Sequence, residues 1–433
     1  NSGKEDMYQI VWPLDMTVFF GFCGIKGYNH LRYPEAHPHS PWSMLELKRT
    51  PETNIFDMIR EKDLLIHLPY ESFDESVVNF LYSAANDKDV LAIKQTLYRV
   101  SSSSPVVQAL EKAVQNGKQV TVLMEVKARF DEANNILMAR RLEKAGAHVI
   151  YGLVGLKTHS KCTLVIRREK DGIRRYVHVA TGNYNASTAK LYTDLGILTC
   201  NDRFGIDASA FFNLLSGYSD PPIWDSFIVA PINLRQRCIE LIDREIHFAK
   251  NGEDAHMIAK MNSLLDEGII EKLYEASQAG VKIELIVRGI CVLIPGIPGV
   301  SDNITVRSIV GRFLEHSRIF WFRNGGREEL YISSADWMPR NLNDRVELMV
   351  PIEDPEIKRR LKQMVDIELS DNQKAHIMQA DGTWLKTISA ENQLCAQEYF
   401  QKIAEKRDAE DEMTLAQKLE PYTPVLGHGD GSD

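Results

Sequence analysis

The sequence predicts an α/β protein in which two similar domains face one another and share a site at their interface. From about residue 46, apolar strand-like runs alternate with helical patterns, which is typical of sheets layered with helices. Two segments, NGKQVTVLMEVKARF (116–130) and AGVKIELIVRGICV (279–292), each place a glycine at a helix end, then an alternating strand, then an arginine. Such an ordered internal match favours a duplicated fold.

Each half also carries a histidine that is followed two residues later by a basic side chain. These pairs are His159 and Lys161 in GLKTHSK, and His316 and Arg318 in FLEHSRIFWF. In a strand, residues i and i+2 lie on the same face, so each pair would present both side chains on one surface. A single histidine in a strand is usually structural, but the repeated context favours a duplicated functional site.

Further matched segments follow each histidine. A polar, strand-like segment comes first, TGNYN at 181–185 and SSADW at 333–337. A strand with an acidic neighbour comes next, TDLGILT in the first half and DRVELMV in the second. The order of these segments is the same in both halves, which supports the duplication.

Local patterns define individual elements most clearly in the first half. VLAIKQTLYRV and QVTVLMEV predict buried strands, and SSSSP between them predicts the start of a helix. DEANNILMARRLEKAG predicts a second helix, because acidic residues occupy its first turn and Gly146 follows its end. KCTLVIRR and RRYVHVATGNYN predict further strands.

We expect four regions along the chain. Residues 1–45 are interpreted as a remnant of, or linker from, a missing or divergent N-terminal region. The two catalytic domains are predicted at 46–222 and 223–370, with a boundary at the DPP of 220–222. Residues 371–433 lose sheet character and predict a C-terminal helix, from TWLKTIS onward, and a flexible tail.

Composition limits the classes of function. The chain has 433 residues, 44% hydrophobic and 26% charged, as in ordinary globular proteins. Its net charge of −9 disfavours a nucleic-acid partner and requires any phosphate site to arise from local clustering of cations. There is no apolar run of membrane-spanning length, and the six cysteines form no CxxC pair, so we expect a cytoplasmic protein.

The chemistry predicted for these histidines is attack on phosphorus. A free-base imidazole is abundant near neutral pH and is a good nucleophile, provided that cations surround the transferred group. The candidate cations are Arg99, Lys127, Arg129, Lys157, Lys161, Arg288, Arg307, Arg312 and Arg318. No GxxxxGK[ST] loop is present, so scattered cations rather than a glycine-rich loop would hold a nucleotide.

The repeated HxK and GxxN pattern resembles the phospholipase D superfamily, whose two half-sites each give a histidine to phosphoryl chemistry. The match has departures. The family's aspartate, five residues after the lysine, is Ile166 in one half and Arg323 in the other. Asn183 replaces a serine, and Arg318 replaces the second lysine. A phospholipase D-type phosphodiesterase therefore stands as an alternative interpretation.

A closer resemblance covers residues 46–370. LAIKQTLYR, ARFDEANN, AGAHVIYGLVGLKTHSK, TGNYNASTAKLYTDLGILT and YISSADWMPRNLNDRVELMVPI together resemble the catalytic C-terminal half of type-1 polyphosphate kinases. This resemblance implies two phospholipase D-like domains facing one another, with the site at their interface. It also implies an ATP:polyphosphate phosphotransferase that reversibly transfers the γ-phosphate of ATP to inorganic polyphosphate through a phosphohistidine.

The resemblance also implies roles for single residues in the catalytic step. His159 matches the family's phosphorylated histidine, and Arg99 and Arg129 match arginines at the Mg²⁺–phosphate site. Because arginine cannot be a metal ligand, we expect both to clamp phosphate beside Mg²⁺. Lys161 would help them to neutralise the equatorial oxygens of the transferred group.

Nucleotide contacts are implied for residues from both halves. Tyr192 in KLYTD, Arg288 in VRG and His316 in EHSR match positions that contact ATP. His316 would also assist as an acid or as an electrostatic partner, and the sequence leaves that choice open.

The resemblance implies Mg²⁺ as cofactor and ATP/ADP and inorganic polyphosphate as partners. It further implies a homo-oligomer, either a dimer or a tetramer, and leaves peripheral association with a membrane open. Family members carry an N-terminal domain and a helical head domain, yet only about 45 residues precede the catalytic part here. We therefore expect a truncated or divergent short form, with an inactive polyphosphate-binding fragment as a second alternative.

Overall fold

The computed structural model describes most of the chain, in these ranges: 16–45, 47, 53–101, 103–128, 131–217 and 223–419. The chain divides into two compact units, Asn1–His37 and Pro38–Asp433. Within the described part of the first unit, α1 (Phe19–Phe22) and two short 3₁₀ turns leave large apolar side chains such as Phe22 and Leu31 exposed. The fold of the second unit positions the candidate site.

The first half of the second unit is built on eight strands and five helices among its described residues. The strands are β1 Leu64–Leu68, β2 Val90–Leu97, β3 Gln119–Met124, β4 His148–Tyr151, β5 Lys157–Thr158, β6 Lys161–Glu169, β7 Gly172–Ala180 and β8 Tyr192–Thr199. The helices are α2 Ile55–Glu61, α3 Asn79–Asn86, α4 Pro105–Gln115, α5 Glu132–Ala145 and α6 Asp202–Leu215. Strands β2, β3, β6 and β7 and helices α4 and α5 confirm the predictions made from local patterns.

The first sheet runs in the order β4-β3-β2-β6-β7-β8-β1. Strands β2, β3 and β4 are parallel, and the remaining neighbours are antiparallel. Helix α4 begins at an N-cap, Ser104, whose hydroxyl accepts from the Val107 amide, and its apolar face packs into the core through Leu110. A side-chain cap and an apolar face therefore define α4 and its packing on the first half.

The second half has ten strands and five helices among the described residues. The strands are β9 Ile228–Ala230, β10 His256–Met261, β11 Lys282–Val287, β12 Ile304–Ile309, β13 Leu314–Glu315, β14 Arg318–Phe322, β15 Glu329–Ser333, β16 Arg345–Pro351, β17 Ala375–Met378 and β18 Trp384–Lys386. The helices are α7 Leu234–Lys250, α8 Glu267–Gln278, α9 Pro339–Asn343, α10 Pro355–Leu369 and α11 Ala396–Leu419.

The second sheet repeats the topology of the first. Its order β12-β11-β10-β14-β15-β16 matches β4-β3-β2-β6-β7-β8, and β9 pairs with β16 as β1 pairs with β8. Parallel and antiparallel pairs occur at the same places in both sheets. The predicted fold class, an α/β duplication with the site between the halves, is confirmed.

Two very short strands cross from one half to the other. Strand β5 of the first half pairs in parallel with β16, with Lys157 beside Arg345. Strand β13 of the second half pairs in parallel with β8, with Leu314 beside Tyr192. Each crossing strand ends one residue before a histidine of the HxK-type pairs, so each half delivers its histidine to the sheet of the other.

The prediction of helix from TWLKTIS onward was wrong at its start. Residues Trp384–Lys386 form β18, which pairs with β17, and β17 extends the second sheet beyond β12. The structure of this segment is determined by its pairing with a strand that is distant in the sequence. Such pairing cannot be predicted from a local helical pattern. The helix begins at Ala396 instead. The predicted flexible tail and the DPP boundary lie outside the described residues.

No described helix is both long enough and apolar enough to span a bilayer.

Candidate active site

A cavity of about 580 Å³ opens between the two halves, at the ends of the strands that carry the predicted histidines. Side chains of both halves line it: Tyr98, Arg99, Gly155, Lys157, His159, Asn183, Tyr192, His316, Arg318, Asp336, Arg340, Asp344 and Arg345. The structure therefore brings together six of the residues predicted from sequence: His159, His316, Tyr192, Arg99, Lys157 and Arg318.

His159 is buried between β5 and β6 and is held from the opposite half. Its amide donates to the Val346 carbonyl at 2.9 Å, and its Nδ1 lies 2.9 Å from the Glu347 carboxylate on β16. Glu347 in turn accepts hydrogen bonds from the side-chain amide of Asn341 at 2.6 Å and from the Ser334 hydroxyl. A carboxylate acceptor at Nδ1 places the proton there, which leaves the lone pair on Nε2.

His316 is held in the reciprocal way. Its Nδ1 lies 2.8 and 2.9 Å from the two carboxylate oxygens of Asp194, which is on β8 of the first half. Thr181 donates its hydroxyl to Asp194 at 2.6 Å. The register of the strands puts Asp194 and Glu347 at equivalent positions of the two sheets. Each histidine thus depends on a carboxylate from the other half.

The basic members of the two pairs are held differently. Lys161 is buried, donates to the His159 carbonyl and lies 5.6 Å from the centre of the Tyr98 ring. Arg318 donates from Nε and Nη2 to Asp336, at 3.1 Å each, so its charge is largely balanced. Burial lowers the pKa of Lys161 to about 7, so its proton is lost more readily than that of an ordinary lysine.

Burial and nearby cations also lower the pKa values of the two histidines. The pKa of His159 is well below its ordinary value, mainly because of burial and then because of Lys161 and Arg345. Burial and Arg318 lower the pKa of His316 as well. Burial raises the pKa of Glu347 to about 6. Uncharged imidazoles surrounded by cations form an environment suited to a polyanionic ligand.

Two other predicted residues line the cavity beside the histidines. The ring of Tyr192 lies 5.2 Å from the ring of His316, close enough for a shared aromatic contact. Arg99 follows β2 at the cavity wall, and its Nε lies 3.1 Å from the Asp131 carboxylate. The structure therefore places Arg99 at the wall of the cavity, and its predicted contact with phosphate stays a prediction.

Arg288 is not brought into this cavity. It follows β11 and donates to the Asn262 side chain at 2.9 Å, so its predicted contact with ATP stays a prediction. Arg129 lies outside the described residues, and its role likewise stays a prediction.

Sequence reasoning missed several residues of the site. Asp194 and Glu347, which hold the two histidines, were visible only as acidic residues of the segments TDLGILT and DRVELMV, and no role was predicted for them. No motif in the sequence indicated a role for Arg340 or Arg345 either. The repeat could have found the two carboxylates, because they occupy matched positions of the duplicated strands.

Comparisons with known proteins show the family of the chain. The family model described as Polyphosphate kinase C-terminal domain 1 matches residues 54–221. The model described as Polyphosphate kinase C-terminal domain 2 matches residues 227–397. The chain belongs to the polyphosphate kinase family. The resemblance to the C-terminal half of the type-1 enzymes is thereby confirmed.

Individual polyphosphate kinases show the extent of the likeness. One from Halalkalibacterium halodurans is 56% identical over 374 residues, which is 86% of this chain and 52% of that protein. One from Synechocystis sp. is 55% identical over 356 residues, or 81% of this chain and 49% of that protein. A crystal structure of polyphosphate kinase from Porphyromonas gingivalis superposes with a TM-score of 0.79 at 37% identity, over 88% of this chain and 57% of that one. The chain therefore spans about half the length of the curated polyphosphate kinases that it matches.

Proposed function

We propose that this chain reversibly transfers the γ-phosphoryl group of ATP to inorganic polyphosphate through a phosphohistidine at His159. The observation that carries the proposal is the buried imidazole of His159, whose Nδ1 is occupied by Glu347 while its ring opens on a cavity lined by cations of both halves. Membership of the polyphosphate kinase family supports the reaction class.

The nucleophile would be Nε2 of His159. Because Nδ1 donates to Glu347, only Nε2 keeps a lone pair that can attack phosphorus. The lowered pKa of His159 keeps this nitrogen unprotonated at neutral pH. Glu347 would then stabilise the positive charge that develops on the ring as the N–P bond forms.

The reaction would proceed in two balanced steps. In the first, Nε2 of His159 attacks the γ-phosphorus of ATP, the bond to the bridging oxygen breaks, and ADP leaves with the electron pair. In the second, a terminal oxygen of polyphosphate attacks the same phosphorus, and the N–P bond breaks to return the electron pair to Nε2. The polymer gains one phosphate, and the reverse sequence regenerates ATP.

The surrounding cations would stabilise the transferred group. In a loose phosphoryl-transfer transition state the charge is spread over three equatorial oxygens, so positioned cations supply most of the stabilisation. Lys161 is next to His159 in the fold, and Arg99, Lys157 and Arg345 line the cavity. These side chains would also repel a cationic competitor.

Mg²⁺ would bind through the phosphates of the nucleotide rather than in a site made of protein ligands alone. Among the described residues, no group of three or more His, Cys, Asp or Glu side chains is arranged to hold a metal ion. Mg²⁺ usually keeps several waters and binds through substrate phosphates, and Arg99 would clamp phosphate beside it. When bound, the ion would neutralise part of the charge on the phosphates of ATP.

His316 and Tyr192 would serve the nucleotide side of the cavity. Their rings are 5.2 Å apart, and Tyr192 can stack on or hydrogen-bond to a ligand. A bound polyanion would favour the protonated form of His316, and a protonated ring would donate to phosphate. His316 would then act as electrostatic partner or acid.

The first experiment follows label from [γ-³²P]ATP and Mg²⁺ into the protein and then into polyphosphate. We expect alkali-stable, acid-labile label on His159, located by mass spectrometry, that chases into polyphosphate. His159→Ala should lose both label and turnover, while His148→Ala, which changes an exposed histidine of β4, should keep them. Polyphosphate binding without label would indicate a non-catalytic fragment, and hydrolysis of a phosphodiester without ATP would indicate the diesterase alternative. Either outcome would overturn the proposal.

A further inference from the structure

A buried charged cluster lies directly behind His316, outside the cavity. Lys260 on β10 contacts two carboxylates, Glu315 on β13 at 2.7 Å and Glu368 on α10. All three residues are at most 3% exposed. Buried ionic groups are expensive to desolvate, so such a cluster calls for a reason beyond general stability.

The cluster is attached to His316 through the backbone. Glu315 immediately precedes His316 and forms the crossing strand β13 with Leu314. The Thr193 hydroxyl donates to Glu315 at 2.8 Å and accepts from the His316 amide at 3.2 Å. Thr193 also adjoins Asp194, the carboxylate that holds the His316 ring.

The C-terminal helix reaches the same carboxylate. Gln397, in the first turn of α11, donates to Glu315 at 2.6 Å. The same side chain accepts from the Phe313 amide at 3.0 Å and donates to the Phe313 carbonyl at 2.9 Å. Gln397 therefore binds both ends of the short segment that leads into His316.

The other half has no such cluster at the equivalent place. Counting along the matched strands, Thr96 occupies the position of Lys260 and Thr158 that of Glu315. Thr96 makes only neutral hydrogen bonds, to the Ser160 carbonyl at 2.9 Å and from the Cys162 amide at 3.0 Å. The charged cluster is thus particular to the half that carries His316.

We propose that Glu315 is a positioning residue for His316, and that Lys260 and Gln397 act through it by holding β13 against β8. Glu315 pairs with Lys260 and accepts hydrogen bonds from Thr193 and Gln397. Because Glu315 directly precedes His316, these contacts hold the strand that leads into the histidine. The C-terminal helix α11 is then part of the machinery that orients the second histidine.

The test uses the full 433-residue chain with ¹⁵N-labelled histidine and two variants, Glu315→Gln and Gln397→Ala. The His316 Nδ1 signal is assigned by its loss in His316→Asn. We expect both variants to shift this signal, because the hydrogen bond to Asp194 changes, and to leave the His159 signals in place. On the proposed function, kcat/KM for ATP should fall on the order of 10-fold, because a misplaced His316 would no longer meet the nucleotide in the productive geometry.

Glu245→Gln is the matched control. Glu245 is also fully buried in the second half, but it accepts from the amides of Asn324 and His256, which lie outside the cavity. It should leave the His316 signal and kcat/KM for ATP unchanged. An unmoved His316 signal in both test variants, or an equal shift in the control, would overturn the proposal. If wild-type turnover is absent, the proposed function fails, and the NMR comparison still decides the positioning role.

Discussion

At the scale of single residues, the site consists of two imidazoles with reciprocal carboxylate partners that differ in length. His159 is held by a glutamate and His316 by an aspartate, each contributed by the opposite half. Their environments also differ, because Lys161 near His159 has its pKa lowered to about 7 by burial while Arg318 is paired with Asp336. This asymmetry within a duplicated fold is consistent with unequal roles for the two histidines.

Replacing Glu347 by glutamine tests the first of these pairs. The amide would keep the volume but lose the charge that stabilises a positive ring, and it could offer a donor to Nδ1, which favours the wrong tautomer. By analogy with other carboxylate–histidine pairs, we expect kcat to fall on the order of 10²-fold or more. Glu245→Gln again serves as control, because that buried glutamate does not contact the cavity. A near-normal rate in steady-state assays of Glu347→Gln would contradict the assigned role of the carboxylate.

The sequence predicted the histidines of the site better than their partners. His159 and His316 could be found because each lies in a repeated HxK-type pair. Glu347 is 188 positions from His159 and Asp194 is 122 from His316. A contact between residues so far apart in the sequence depends on how the two halves dock. Neither the hydrophobic periodicity of a segment nor a short motif can predict it.

At the scale of elements, the same contrast holds for the strands. Strands β2 and β3 could be predicted because their alternation is a property of consecutive residues. The crossing strands β5 and β13 have two residues each, too few to show a period. Strand β18 was predicted as helix and β17 was not predicted as a strand, because only the pairing of β17 with β12 and of β18 with β17 makes them part of a sheet.

The loop after β7 has a glycine, Gly182, where the Asp194 carboxylate comes close to the backbone. At Gly182, an added Cβ would lie 2.2 Å from a carboxylate oxygen of Asp194. The equivalent position of the second half is Ala335, next to the longer Glu347. A glutamate reaches its histidine from farther away, whereas the shorter aspartate leaves no room for a methyl group.

Gly182→Ala should therefore displace Asp194 and loosen His316. We expect a loss of about 1–3 kcal/mol in the free energy of unfolding, as for overpacked sites, together with a shifted His316 Nδ1 signal. Gly268→Ala is the control, because a Cβ there meets only an Asp266 oxygen at 3.7 Å. Urea unfolding and histidine NMR measure both effects, and a wild-type spectrum for Gly182→Ala would show that the loop yields without moving Asp194.

At the scale of the whole molecule, folding buries groups that would otherwise titrate. His178 on β7 is an example that the proposed chemistry does not use. It is 2% exposed, its Nδ1 lies 2.8 Å from the Tyr184 hydroxyl, and among the described residues its Nε2 has no hydrogen-bond partner. Burial lowers the pKa of His178 to about 3. The folded protein therefore resists taking up a proton that the unfolded chain accepts readily.

This difference predicts how stability depends on pH. Below the ordinary histidine pKa of about 6.5, the unfolded chain binds a proton at His178 and the folded chain does not, so His178 makes stability fall as pH falls toward 3. In His178→Gln, the free energy of unfolding should decrease by up to about 1.4 kcal/mol less per pH unit than in wild type, with the full difference reached toward the acid end of the range. Urea unfolding followed by tryptophan fluorescence between about pH 4.5 and 6.5 measures the two slopes. His148→Gln, at an exposed position of β4, should keep the wild-type slope, and parallel curves for His178→Gln and wild type would mean that His178 is protonated in the folded state.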